Sequence, residues 1–150
     1  MKSILCVLSL MFATATLSLA SDAAWSTDWE GAKTRAKAEN KPILIYLTGS
    51  DWCTWCIKMD KEVLTQKEFM DFASANFVLV EADFPRKKEL PAPLKEQNAL
   101  LKKEYLNGGY PTMYVLDADG KKVSEDLGEL KVGPAEFVEK LKELLAKIKK

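Results

Sequence analysis

The feature that most constrains the fold of this 150-residue chain is the segment 43–47, in which every residue is large and apolar. Residues typical of turns and loops bound it on both sides, at 40–42 and at 48–51. A short apolar run between turn signals predicts a strand that is buried on both faces, as in the centre of an α/β sheet. Residues 48–51 include types that cap helices, and Cys53 and Cys56 follow closely. The segment therefore predicts a buried strand, a tight turn and a helix that begins near Cys53.

The rest of the chain alternates between helical and strand patterns. Apolar periodicity and turn signals predict further helices at 28–39, from 65–68 onward, at 94–106 and at 134–148, and further strands at 77–82, 112–116 and, more weakly, 122–124. A Thr-x-x-Glu pattern, Thr65 to Glu68, predicts the start of a helix after one that spans 53–64. Asp and Gly at 117–120 predict a hairpin turn. This order predicts one α/β domain with a central mixed β-sheet and helices on both faces.

The first twenty residues have the pattern of an export signal. A positive start, an apolar stretch at 4–12 and a small-x-small ending predict cleavage before Ser21. The alternative is an uncleaved anchor, but the stretch is short for a membrane span. We therefore divide the chain into a signal peptide, 1–20, and a domain, 21–150. Cys6 would leave with the signal, so that two of the three cysteines would remain.

Composition excludes several classes of function. The chain has 22 basic and 22 acidic residues and no long basic run, which gives no electrostatic reason to expect nucleic acid as a partner. It has no histidine, so mechanisms that use an imidazole base, and zinc sites with histidine ligands, are excluded. A structural zinc ion needs four ligands, whereas the exported chain would offer two cysteines. No metal site is expected, although capture of copper(I) by the two thiolates stays open as a weaker alternative.

The position of the cysteine pair favours redox chemistry. Residues three apart on a helix are neighbours, so the sulfurs of Cys53 and Cys56 can bond across one turn. The positive end of the helix stabilises a thiolate at Cys53, which we expect to be the exposed nucleophile. We expect Cys56 to be more buried and to resolve a mixed disulfide by attacking Cys53. A disulfide that closes so small a loop stabilises a fold little, which argues against a purely structural role.

Two motifs together resemble the thioredoxin superfamily. An apolar strand leads into Trp52-Cys53-x-x-Cys56, and Gly-Tyr-Pro-Thr follows at 109–112. Within the superfamily, the chain is most similar to exported thioredoxin-like proteins with a Gly-x-x-Trp-Cys-x-x-Cys site and an Asp-x-Asp-Gly hairpin, over about residues 28–148. The resemblance implies the thioredoxin fold and thiol–disulfide exchange. It also implies a cis peptide bond before Pro111, beside the sulfurs, with the backbone of Tyr110 left to pair with an extended substrate.

The chain departs from thioredoxin in ways that bear on mechanism. Thr54 and Trp55 stand between the cysteines, and Leu47 stands at the position of a buried aspartate that is thought to relay protons. Glu81, inside an apolar strand, is our candidate for that relay; the alternative is a strand residue that points to solvent. Strong oxidants of the superfamily commonly have histidine between the cysteines, so its absence here leans mildly toward a reductase. We expect substrate contacts from Trp52, Thr54, Trp55, Tyr110 and Pro111.

The sequence therefore predicts an exported thiol–disulfide oxidoreductase that acts on protein disulfides through Cys53 and Cys56. It would need no cofactor beyond that redox-active disulfide, but it would need a recycling redox partner, such as a membrane-bound one. We expect a monomer in the periplasm or secreted from the cell. The alternative is a non-enzymatic module that binds clients or partners on a thioredoxin fold and keeps the disulfide as a structural bond.

Overall fold

The structure is a computed structural model, which describes residues 25–128 and 130–148. In chain order it contains α1 (Trp29–Glu39), β1 (Ile43–Thr48), α2 (Thr54–Met59), a π-helical turn (Asp60–Leu64), α3 (Lys67–Asn76), β2 (Val78–Asp83), α4 (Ala92–Tyr105), β3 (Thr112–Leu116) and α5 (Pro134–Ile148). The predicted export signal lies outside the described residues. Among the described helices, none combines the length and the apolar character needed to cross a membrane.

The sheet has the strand order β2-β1-β3. Strand β1 runs parallel to β2 and antiparallel to β3. This arrangement confirms the predicted mixed sheet. All six residues of β1 are buried, because β1 is flanked by a strand on each side and covered on both faces. That position explains why the sequence of β1 is apolar without alternation.

Helices cover both faces of the sheet, as predicted. On one face, Leu44 and Tyr46 of β1 pack against residues from the π-helical turn, α3 and α5. On the other face, Ile45 and Leu47 pack against residues from α1 and α4. Side chains along β1 alternate between these two faces. Those of Leu44 and Tyr46 therefore lie on the face that α2 and the following π-helical turn cover. Trp25 and Trp29 pack against the two clusters, one on each face, as packing residues should.

The strand predicted near 122–124 does not form a ladder, and this prediction is wrong. An isolated bridge forms there. The segment then donates backbone amides to β3, such as that of Val123 to the Val115 carbonyl at 2.9 Å, but side chains accept from the amides of β3. The hydroxyl of Ser124 accepts from the Val115 amide at 2.9 Å, and the carboxylate of Asp126 accepts from the Met113 amide at 2.9 Å. Because side-chain oxygens occupy these donors of β3, the backbone of the segment does not continue as a paired strand.

The outer edge of β2 is also occupied. Ser26 bridges to Val80 there: its amide donates to the Leu79 carbonyl at 2.9 Å, and its carbonyl accepts from the Glu81 amide at 2.9 Å. The segment before α1 therefore covers the middle of this edge.

Helix ends differ from the prediction in three places. The helix predicted over 53–64 is α-helical only to Met59 and continues as the π-helical turn. Thr65 does not cap α3, because its hydroxyl donates to the Asp60 carbonyl at 2.8 Å and so closes the preceding π-helical turn. The N-cap of α3 is Gln66, which makes no side-chain capping bond. Helix α4 begins at Ala92, two residues before the predicted start. The hairpin turn at 117–120 does form, with the Gly120 amide donating to the Asp117 carbonyl at 3.1 Å.

Candidate active site

Cys53 and Cys56 form a disulfide at the start of α2, after the turn that follows β1. Cys53 is the N-cap of α2, and its amide donates to the Gly49 carbonyl at 2.8 Å. Its sulfur accepts from the Cys56 amide at 3.2 Å. Cys53 is 6% exposed and Cys56 0%. Cys53 is thus the more accessible cysteine, as expected, but it is far less exposed than predicted because the turn and the loop before β3 surround it.

The Tyr110–Pro111 peptide bond is cis, as the resemblance implied. The carbonyl oxygen of Tyr110 lies 3.6 Å from the Cys53 sulfur, so the backbone of this loop borders the reacting atom. Gly128 presses on the loop from the other side. A Cβ atom at Gly128 would lie 2.9 Å from the Cα of Thr112 and closer still to the Pro111 carbonyl. A glycine is therefore required here by close approach of two backbones.

Trp52 contacts three segments beside Cys53: the turn after β1, the loop after β2 and the loop before β3. Its indole N–H donates to the Phe84 carbonyl at 2.8 Å, and its ring meets the Tyr110 ring edge-on at 5.7 Å. The guanidinium carbon of Arg86 lies 3.7 Å from the centre of the Trp52 ring. The ring also packs so tightly on Gly49 that a Cβ there would lie 2.7 Å from the indole nitrogen. Trp52 is half-buried, and these contacts support the loop that carries Cys53.

Two aspartates connect the turn before Cys53 to the end of β2 and the loop that follows it through hydrogen bonds. Asp83, at the end of β2, accepts from the Ser50 amide at 3.0 Å and from the Ser50 hydroxyl at 2.7 Å, and it pairs with Lys88 at 2.8 Å. Asp51 accepts in return from the amides of Arg86 and Lys87, at 2.9 and 2.8 Å. These backbone bonds, with that of Arg86 the largest cause, lower the pKa of Asp51. Asp51 is one of the predicted helix-capping residues at 48–51, but the N-cap of α2 is Cys53 and Asp51 binds the loop after β2 instead.

A groove of about 910 Å³ opens on the other side of the cysteines. Tyr110 and Pro111 line it, together with Trp55 and with Lys131 of the loop before α5. Trp55 is 58% exposed and presents a broad apolar surface. Thr54, the first residue of α2, is exposed as well. The structure thus brings the predicted contact residues together around Cys53, with Trp52 on one side and Trp55 on the other.

Polar side chains lie on the face of the sheet below Cys56. The Tyr46 hydroxyl donates to the Cys56 carbonyl at 3.5 Å. Glu81 is the partner of Tyr46 in the parallel ladder, so its side chain is on the same face. Burial, more than its neighbours Asp83 and Asp60, raises the pKa of Glu81. Glu81 is half-buried and does not simply point to solvent.

Asp60 is a further acid in this region, which the sequence analysis missed. It starts the π-helical turn, is half-buried, and has a pKa raised mainly by burial and opposed by the Tyr46 hydroxyl. Its charged neighbours in the sequence, such as Lys61 and Glu62, are typical of a solvated helix face. The available signal was its spacing from Cys56, because residues four apart share one face of a helix.

Comparison with known proteins agrees with this geometry. A family model described as thioredoxin-like matches residues 24–118. A Chlamydia pneumoniae protein named disulfide bond reductase DsbH is 39% identical over 126 residues, which are 82% of this chain and 75% of DsbH. A solved structure of DsbH oxidoreductase gives a TM-score of 0.76 at 37% identity and covers 82% of this chain and 84% of its own. The reduced C-terminal domain of DsbD from Neisseria meningitidis gives a TM-score of 0.57 at 26% identity, covering 76% of this chain and 90% of that domain. The chain therefore belongs to the thioredoxin-like family and is a thiol–disulfide oxidoreductase.

Proposed function

We propose that this protein is an exported reductase of disulfide bonds in other proteins, with Cys53 as its nucleophile and Cys56 as its resolving cysteine. The observation that carries the proposal is the Cys53–Cys56 disulfide at the start of α2, with the Tyr110 carbonyl 3.6 Å from the Cys53 sulfur. Two facts support the direction of reduction: the chain is 39% identical to a protein named as a disulfide bond reductase, and it has no histidine between the cysteines.

The reaction starts from the reduced pair. The Cys53 thiolate attacks one sulfur of a client disulfide, so that a mixed disulfide forms and one client sulfur leaves as a thiolate, which takes up a proton. Cys56 then attacks the Cys53 sulfur and releases the second client sulfur. The Cys53–Cys56 disulfide forms as the client disulfide is lost, so two electrons pass from the enzyme to the client.

The backbone of the site favours the charged nucleophile. The sulfur of Cys53 lies at the N-terminus of α2 and already accepts a hydrogen bond from the Cys56 amide at 3.2 Å. A thiolate accepts such a bond more strongly than a thiol or a disulfide sulfur does. This amide is therefore suited to stabilise Cys53 as the attacking thiolate.

Extended client chains would bind in the groove beside Pro111. Within the described residues the amide of Tyr110 has no hydrogen-bond partner, and its carbonyl faces Cys53. An extended client could pair with this backbone, as strands do at an open edge. Trp55 offers apolar contact on the far side of the reacting sulfur, with Thr54 between them.

Glu81 and Asp60 are the groups we propose for proton transfer at Cys56. The resolving thiol must lose its proton before it attacks. Both acids have raised pKa values. Glu81 lies on the same face of the sheet as Tyr46, and Asp60 begins the π-helical turn that packs on that face. Leu47 has no ionisable group, and its side chain belongs to the cluster on the opposite face.

The catalytic cycle requires a second protein. The cysteine pair is the redox group of the reaction, and we propose no other cofactor. A reductase, which we place in the membrane, must return electrons to Cys53–Cys56 after each turnover. We propose that residues 1–20 direct export and are removed before Ser21, and that the protein acts as a monomer in the periplasm or outside the cell.

The first test is the fate of two variants with a protein disulfide as substrate. Cys53→Ser should abolish reduction, whereas Cys56→Ser should accumulate a mixed disulfide that a non-reducing gel detects. Turnover that survives in Cys53→Ser would contradict the mechanism.

The reduction potential of the pair in glutathione buffers then tests its direction and role. Thiol–disulfide exchangers lie between about −270 mV and about −120 mV, and we expect a value toward the reducing end. A value below about −300 mV with slow exchange would indicate a structural disulfide. The binding-module alternative, which the exposure of Trp55 favours, would then be preferred. It predicts unchanged client binding by a variant that lacks both cysteines.

A further inference from the structure

We infer that Arg86 is a carboxylate-binding residue beside the active site, and that the enzyme prefers client disulfides whose cysteines are flanked by acidic residues. The inference rests on the proposed reduction of protein disulfides and adds a chemical feature of the client that the site would recognise.

Arg86 is held in place before any client arrives. The carbon of its guanidinium lies 3.7 Å from the centre of the Trp52 ring, a stacking geometry that suits a planar cation. Its amide donates to Asp51 at 2.9 Å, and the next amide, that of Lys87, donates to the same carboxylate at 2.8 Å. Because backbone and side chain are both fixed, a ligand of Arg86 would lose little binding energy to ordering it.

The donors of this guanidinium are left unused within the described residues. No described carboxylate lies within ion-pair distance of Arg86, although the side chain is exposed. The two aspartates that border this loop have other partners: Asp51 accepts from backbone amides, and Asp83 accepts from Ser50 and Lys88. A stacked guanidinium with its fork open to solvent is the arrangement that binds a carboxylate through two parallel bonds.

The position of Arg86 links it to the reacting sulfur. The ring on which it stacks belongs to Trp52, the residue before Cys53, and packs against Tyr110 at 5.7 Å. Tyr110 in turn borders the Cys53 sulfur through its carbonyl oxygen at 3.6 Å. A client that brings its cysteine to Cys53 therefore brings the flanking residues close to Arg86.

The charge around this side of the site is complementary to an acidic client. Besides Arg86, the exposed Lys87 lies on the same loop, and the ammonium of Lys102 lies 6.0 Å from the centre of the Tyr110 ring. Two acids of this region, Asp83 and Glu89, are already paired with lysines. The remaining cations here therefore outnumber the remaining acid, Asp51, although the chain as a whole has a formal net charge of zero. A client with acidic residues beside its cysteine would also associate with this side of the site faster and more selectively.

The experiment compares two disulfide-linked peptides that differ at one kind of position. In one, glutamate flanks each cysteine on both sides; in the other, glutamine does. We expect the reduced full-length protein to reduce the glutamate peptide with about fivefold higher kcat/KM, which is the upper end for an exposed ion pair. The preference should shrink in 0.5 M salt, which screens exposed charges.

Variants then assign the preference to one side chain. Arg86→Met keeps an unbranched apolar stem, and its ratio of rates for the two peptides should fall below about twofold. Arg86→Lys keeps the charge without the planar fork and should give an intermediate ratio. Lys121→Met is the matched control, because it removes an exposed cation beside the hairpin turn, at the opposite end of β3 from Pro111; it should retain the wild-type ratio.

The outcomes separate the inference from the function on which it rests. Equal reduction of both peptides by the wild type, or an unchanged ratio in Arg86→Met, would overturn the role of Arg86 and leave the reductase function standing. If the wild type reduces neither peptide nor a protein disulfide, the proposed function itself is wrong. The comparison of peptides on the wild type needs no altered protein, so misfolding of a variant cannot hide the answer.

Discussion

The replacement of Asp83 by alanine tests whether one buried carboxylate holds the turn before Cys53. Asp83 is 7% exposed and accepts three hydrogen bonds, two from Ser50 at 3.0 and 2.7 Å and one from Lys88 at 2.8 Å. A hydrogen bond to a charged group contributes about 1.5–3 kcal/mol, and leaving a partly buried donor unpaired adds to the loss. The Lys88 pair contributes less, about 1 kcal/mol at most, because the lysine side chain is 56% exposed.

These contributions predict that Asp83→Ala lowers the free energy of unfolding by about 3 kcal/mol. Because bonds that share an acceptor are not additive, we take the value of one strong bond as the guide. Lys88→Met should account for no more than about 1 kcal/mol of this loss. Asp83→Asn, which keeps an acceptor for Ser50, should fall between the two.

The assay is urea unfolding of the oxidised protein, followed by far-ultraviolet circular dichroism. With a slope of about 1.5 kcal/mol per molar urea, the midpoint should fall by about 2 M for Asp83→Ala at an unchanged slope. A loss below about 1 kcal/mol, or an equal loss for Lys88→Met and Asp83→Ala, would refute the argument that the bonds to Ser50 dominate.

Three further predictions follow from contacts at the site. Gly128→Ala should destabilise the fold by about 1–3 kcal/mol, since the new methyl group meets the backbone of the Pro111 loop; an unchanged melting temperature would show that the loop can move aside. Glu81→Gln should stabilise the protein at pH 8 and not at pH 4. Burial raises the pKa of Glu81 in the folded state, so that its ionisation costs stability as the pH rises. Urea denaturation of both proteins at both pH values measures the difference, and equal stabilities of variant and wild type at pH 8 would contradict the prediction. Trp55→Ala should raise KM for protein clients more than for a small disulfide such as oxidised glutathione, and equal effects on both substrates would argue against client contact at this exposed ring.

Sequence reasoning predicted the elements that depend on burial and local turn chemistry. Strand β1 was recognisable because both of its faces are covered, which leaves no polar alternation in its sequence. The cysteine pair was recognisable because it follows that strand at the start of a helix. The partnership of Cys53 with the Pro111 loop came from the family resemblance, since the two are more than fifty positions apart.

The predictions failed where the outcome depends on the tertiary contacts of individual side chains. The spacing from Cys53 placed Leu47 at the position of the buried aspartate of thioredoxin. Side chains alternate along β1, however, so that Leu47 lies on the face opposite Cys56 and Tyr46 lies on the face toward it. Asp60 resembled a solvated residue because nothing in the local pattern indicates a π-helical turn there. The strand at 122–124 failed for the same kind of reason, because Ser124 and Asp126 supply acceptors that a pattern of apolar residues cannot represent.

The covered edges of the sheet have a consequence for a protein that handles unfolded clients. An open edge strand would offer a row of donors and acceptors to any extended chain and would invite aggregation with it. Here Ser124 and Asp126 occupy two donors along β3, and Ser26 occupies the middle of β2. Within the described residues, an extended chain therefore meets no long ladder to extend. Under the proposed mechanism, a client would pair with the short stretch of backbone at Tyr110, where its disulfide reaches Cys53, and would leave once that disulfide has been reduced.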